Sequence, residues 1–210
     1  MTSRLEAPAS RLRPTILLVG AWILVGSLVL GGLTSAAQGP MPDWLRSLGN
    51  SPSGWTLLTV IMISVARPRL LTAACLGAVS FVCLVLGYTI VAELRGLSYS
   101  PAFWVAVGLV AGPVVGWSTS AAFDGRRLLN VLGSSLIAGI AITDAVYGLT
   151  DIADSTSPVY WWSAGIAGAM FLGLVALRQQ LPVRYVAAQL GLTLLWVVAG
   201  TAGYAVLNGR

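Results

Sequence analysis

The chain of 210 residues contains no histidine, and all 12 of its basic residues are arginine, so lysine is missing as well. Without imidazole, the commonest zinc ligand and general base are absent, and with them histidine-based triads and haem ligation. Without lysine there is no Schiff-base amine and no Walker A loop. No metal site and no cofactor is therefore expected. Cysteine occurs only at Cys75 and Cys83. On one helix these two would stand about 12 Å apart along the axis, too far for a disulfide, and they read as small apolar core residues. Charge is scarce too: 9% of residues are charged and 57% hydrophobic, with a mean hydropathy of +0.85. A soluble domain carries about 25% charged residues, so this composition belongs to a lipid bilayer. The net charge of +5 does not point to nucleic acid, because the arginines sit in short stretches between apolar runs rather than on one basic face.

Seven apolar runs follow one another, at about 15–37, 54–66, 70–93, 102–123, 128–150, 159–177 and 185–207. A hydrocarbon core of about 30 Å needs about 20 helical residues. Only the second run falls short; it crosses with help from residues 51–54 or a thinned bilayer, and otherwise six spans remain. The expected fold is an all-α polytopic membrane helix bundle of about seven transmembrane helices, with a tail at 1–13 and a single transmembrane domain at 14–210. Arginines before the first run and Ser35-Ala36-Ala37 after it imitate a signal peptide. The run from Thr15 to Leu33 exceeds the apolar core of about 7–15 residues that such a peptide has, so a retained helix is expected.

Loop charge orients the bundle. Arg4, Arg11, Arg13, Arg67, Arg69, Arg126, Arg127, Arg178 and Arg184 fall on one side, and only Arg46, Arg95 and Arg210 on the other, with Asp43, Glu93, Asp151 and Asp154. The positive-inside rule then places the N-terminus in the cytoplasm. The lack of lysine amid abundant Ala, Gly, Leu and Val indicates GC-rich coding, and the expected location is a bacterial plasma membrane.

The phrase Ser-Pro-x-x-Trp occurs three times, at 51–55, 100–104 and 157–161, each copy opening an apolar run. Ser suits a helix cap, Pro the first helical position, and Trp the headgroup level. Three converging helix starts would account for it. So would three repeated helical hairpins followed by a last helix, since an arginine pair closes each hairpin on the inner side. In the second case Trp55, Trp104 and Trp161 would form an outer rim around an opening.

Asp144 is the residue least at home in its surroundings, lying inside the fifth run. Carboxyls at such a depth are costly and face a cavity or a partner, in a functional role or as a hydrogen-bonded structural group. At helical spacing it shares a stripe with Tyr147, Gly148 and Asp151. Pro113, flanked by Gly112 and Gly116, either opens the fourth run for a site or serves a packing kink. Small residues four apart, such as Ser27/Gly31, Ala187/Gly191 and Ala199/Gly203, predict close helix contacts.

Asn50-Ser51 before Trp55, Leu86-Gly87-Tyr88, Phe103-Trp104 with Gly112-Pro113 and Gly116, and Asp144-Ala145-Val146-Tyr147 together resemble an uncharacterised family of bacterial integral membrane proteins of unknown function. Members of that family more often carry Glu where this chain has Asp144. In general character the chain is also similar to the substrate-binding membrane subunits of energy-coupling-factor vitamin transporters, and this likeness implies a solute-binding role. The leading expectation is binding or transport of a small solute from the outer face, with Asp144 as the main contact, Tyr147 and Tyr88 as secondary ones, and Pro113 at a broken helix. The alternatives are a membrane-embedded enzyme acting on a lipid or isoprenoid, and an accessory subunit that associates with a membrane partner or with itself.

Overall fold

The computed structural model describes residues 12–209, with side chains from residue 17 onward. Residues 1–11 of the expected tail, with Arg4 and Arg11, and also Arg210, lie outside the described residues. Regular structure among the described residues is entirely helical. The chain runs α1 (Leu12–Ala37), α2 (Asp43–Arg46), a 3-10 turn (Ser47–Gly49), α3 (Pro52–Ala66), α4 (Leu70–Leu94), α5 (Ala102–Ala122), α6 (Arg127–Thr150), α7 (Pro158–Arg178) and α8 (Val183–Leu207). Six of these helices are long and apolar enough to cross a membrane. Besides the four-residue α2, the exception is α3, whose 15 residues rise about 22 Å against a core of about 30 Å. All seven expected runs are thus helices, and the second is the short one.

Glycine decides which helices meet. Between α4 and α5, a β-carbon at Gly77 would overlap the Gly112 carbonyl, and one at Gly116 would overlap the Ala73 carbonyl. Between α1 and α4, Gly31 lies against Leu84 and Gly87 against Leu28 with the same closeness. Backbones approaching this far gain dispersion contact along their length, the small-residue mode of membrane helix packing. Buried hydroxyls pin the same region, with Ser27 Oγ 2.9 Å from Ser80 Oγ, and Ser80 Oγ 3.2 Å from Thr59 Oγ1. Pro113 follows Gly112 along α5, which runs unbroken through it.

In the second half α6 is central, packing on α5, α7 and α8. Asn130 of α6 donates to the carbonyls of Ala121, Ala122 and Asp124, satisfying the end of α5. Gln189 of α8 donates to Ser134 Oγ at 2.7 Å, tying the last helix to α6. The two cysteines are free, as their spacing requires.

Two of the three expected hairpins pack as hairpins, α4 with α5 and α6 with α7. The first pair does not. Its small-residue face commits α1 to α4, and the long connection 38–51 lets α3 depart to lie among α1, α4, α5 and α6. Small-residue contacts expected at Gly191 and Gly203 on α8 are also not made among the described residues, where neither has a neighbour within 4 Å of an added β-carbon.

Candidate functional site at the start of α3

Because α3 is short, its N-terminus lies within the protein, where each exposed amide needs an acceptor. Every first-turn donor has one. Pro52 has no N–H; the Gly54 N–H bonds Ser51 Oγ at 3.0 Å, and the Trp55 N–H bonds the Ser51 carbonyl at 3.2 Å. The remaining donor, the Ser53 N–H, bonds Asp144 Oδ2 at 2.9 Å. A carboxyl on α6 thus caps a helix far from it in sequence, and the partial positive charge of that helix end favours an acidic group there.

Asp144 is 2% exposed, and its other oxygen, Oδ1, accepts from the Tyr204 hydroxyl at 2.9 Å. The Tyr204 ring stacks on Tyr147 with centroids 4.1 Å apart and planes at 5°. One helical turn on from Asp144, Gly148 leaves room for Trp161, whose indole a β-carbon there would overlap. The acidic stripe anticipated on α6 therefore gathers α3, α7 and α8 around one carboxyl.

Beside it lie three hydroxyls in mutual contact. Tyr160 Oη is 2.5 Å from Ser51 Oγ and 2.9 Å from Ser53 Oγ, and the two serine oxygens are 3.2 Å apart. Sequence reasoning did not single out Ser53, Tyr160 or Tyr204. Two of them were nevertheless inside the repeated phrase: Ser53 belongs to its first copy and Tyr160 to its third.

Trp55 and Trp104, from the first and second copies, stand 6.2 Å apart, and Trp55 stands 6.1 Å from Tyr88. Tyr88 donates to Gln38 Oε1 at 2.9 Å and faces Tyr99 at 5.0 Å. Burial, helped by Tyr88, pushes the Tyr99 phenol up to about 12, so it stays neutral at physiological pH. Trp161 is separate from this group, buried edge-on to Tyr160 with its Nε1 donating to Thr156 Oγ1 at 2.8 Å. As a cap, the phrase acts by side chain only at Ser51. Pro101 lies one position before α5, and Ser157 makes no capping bond.

A cavity of about 380 Å³ opens next to the hydroxyl cluster, between α3, α6 and α7 under Trp44, Leu45 and Leu48. Its wall is mainly apolar, with hydroxyls from Ser53, Thr56, Tyr160 and Ser163 among its lining residues, and Leu57 and Ser163 are exposed. Asp144, Tyr147, Tyr88 and Pro113 do not line it; Asp144 holds the N–H of Ser53, which does, and Tyr88 packs on Trp55, which does not line it either. No three His, Cys, Asp or Glu side chains cluster among the described residues.

Six spanning helices with buried hydroxyl networks and an apolar cavity define a multi-pass membrane protein. Residues 10–209 match a family of unknown function, DUF6518, and the chain belongs to that family. No curated protein and no solved structure matches it, so the general likeness to vitamin-transporter subunits gains no support.

Proposed function

We propose that the protein binds a small, mainly apolar solute bearing a hydroxyl or carbonyl group, in the cavity between α3, α6 and α7. The observation that carries this reading is the pairing of a mainly apolar wall with a few hydroxyl groups, the general design of a small-molecule site. Ser53 and Tyr160 are the polar contacts. Hydroxyls rotate, so each can donate or accept, and the cluster suits an uncharged head group rather than an ion. Asp144 is a positioning residue in this scheme: by holding the Ser53 N–H it sets the start of α3 and the direction of the serine hydroxyl. Tyr147, through Tyr204, and Tyr88, through Trp55, hold the surrounding helices, and Pro113 supports the packing of α5 on α4. The exposed margin at Leu57 and Ser163 is the way in from the bilayer.

Ala167→Phe tests this, because residue 167 is exposed and lines the cavity, so a ring there fills space without displacing a core group. Native mass spectrometry of the wild-type chain in mild detergent should show a retained small molecule, and the variant should lose it at an unchanged thermal midpoint. An identical bound complement in the two proteins would sink the proposal.

A further inference from the structure

At the other end of α3 lies a larger cavity of about 1010 Å³. It exists because α3 stops early: Arg67 takes a left-handed conformation (φ 47°), Pro68 follows, and α4 begins at Leu70. Three separate turns bring guanidinium groups to its wall, Arg67 and Arg69 between α3 and α4, Arg126 between α5 and α6, and Arg178 at the end of α7. The only carboxylate on that wall is Asp124, whose Oδ1 accepts from the Arg126 N–H and Nε, each at 3.0 Å. Four guanidinium groups against one carboxylate leave three positive charges, and among the described residues Arg67, Arg69 and Arg178 have no ion pair. Phe123 and Phe171 meet edge to face at 6.0 Å as the apolar part of the wall, and Leu71 and Leu174 stand exposed at the lipid side.

We infer that this cavity binds a phosphate group carried on an apolar body, with Arg67, Arg69 and Arg178 as its ligands. Arginine forks match phosphate oxygens bidentately, and three unpaired ones brought to one wall from two turns supply the charge that a phosphate mono- or diester needs. Arginine at a membrane surface also serves topology alone. What exceeds that need is convergence on a cavity with an aromatic wall, while Arg127 and Arg184, in the same turns, stay outside it. The site is independent of the apolar cavity at the start of α3, from which Phe171 divides it.

The test is native mass spectrometry of the full chain released from nanodiscs of equal phosphatidylglycerol and phosphatidylcholine. Arg69→Gln/Arg178→Gln should lower retention of phosphatidylglycerol relative to phosphatidylcholine by about tenfold. Arg127→Gln/Arg184→Gln removes equal charge from outside the cavity and should change it by less than about twofold. Arg69→Lys/Arg178→Lys keeps the charge and the topology; should the Gln variant not fold, an intermediate loss in the Lys variant carries the same conclusion, since lysine lacks the fork. A rise in wild-type thermal midpoint on adding inorganic phosphate, absent in the cavity variants and without any lipid preference, identifies a soluble phosphate ester as the ligand. Equal effects of the two Gln pairs, or no effect of either with no response to phosphate, overturns the inference.

Discussion

Asp144 uses its two oxygens on two helices, one on the Ser53 amide of α3 and one on the Tyr204 hydroxyl of α8. That geometry separates hydrogen bonding from charge. In Asp144→Asn the amide oxygen can still accept from Ser53, while its NH2 donates to a Tyr204 hydroxyl free to rotate. The expected loss of stability is under about 1 kcal/mol, against about 1–3 kcal/mol for Asp144→Ala, which strands two buried donors. Denaturant unfolding in detergent measures both; equal losses would mean that ionic charge, not capping, holds the site. Another acid with a defined partner is Asp124, outside the spans. Its hydrogen bond from the Arg126 side chain holds the carboxyl below the usual range. Because the folded value is depressed, any stabilisation is complete above the ordinary carboxylate range and is lost as pH falls through the depressed value. Thermal midpoints of wild type and Asp124→Asn should therefore converge only at acid pH.

Among the elements, α3 decides the most, since a helix too short to cross leaves cavities at both of its ends. It is held by caps rather than by length. For the helices around it, the contact is glycine against backbone. Gly77→Val should separate α4 from α5 and cost about 1–3 kcal/mol or more, because carbonyls cannot yield as a flexible side chain would. Gly173→Ala and Gly191→Ala, where an added β-carbon meets nothing within 4 Å, should leave the thermal midpoint unchanged or raised. An equal penalty at all three positions would contradict the packing described. On α8, with Gln189 and Thr193 as its buried positions, the small residues that looked like packing signals face outward. Periodic small residues mark a face that permits close approach, but they do not say which helix comes.

For the molecule as a whole, arginine placement predicts a bundle with Arg67, Arg126 and Arg178 inside and the repeated phrases outside, and labelling tests this. With Cys75 and Cys83 replaced by Ala, Ser98→Cys should react with an impermeant maleimide on intact cells, and Gly125→Cys only after permeabilisation. The reverse pattern would place the hydroxyl cluster at the cytoplasmic side. Much of this molecule was legible along the chain. Long apolar runs predict helices because lipid leaves no other partner for backbone polar groups, and the shortness of the second run showed in its composition. Asp144 stood out because a carboxyl among Ile, Ala and Val is costly unless partnered.

Sequence alone determined the class, the helices and their boundaries within a few residues, since these depend on local composition and on the thickness of a bilayer. It also singled out the buried acid and the phrase that opens three helices. Only tertiary structure decided that α1 pairs with α4 rather than α3, and that the first phrase meets the second through Trp55 and Trp104 and the third through Ser53 and Tyr160. It also decided that Asp144 caps α3 instead of facing open space, and that four arginines from three turns share one cavity. Such partnerships span up to 109 residues of chain. They follow from which glycine faces interlock, and no local pattern records that choice.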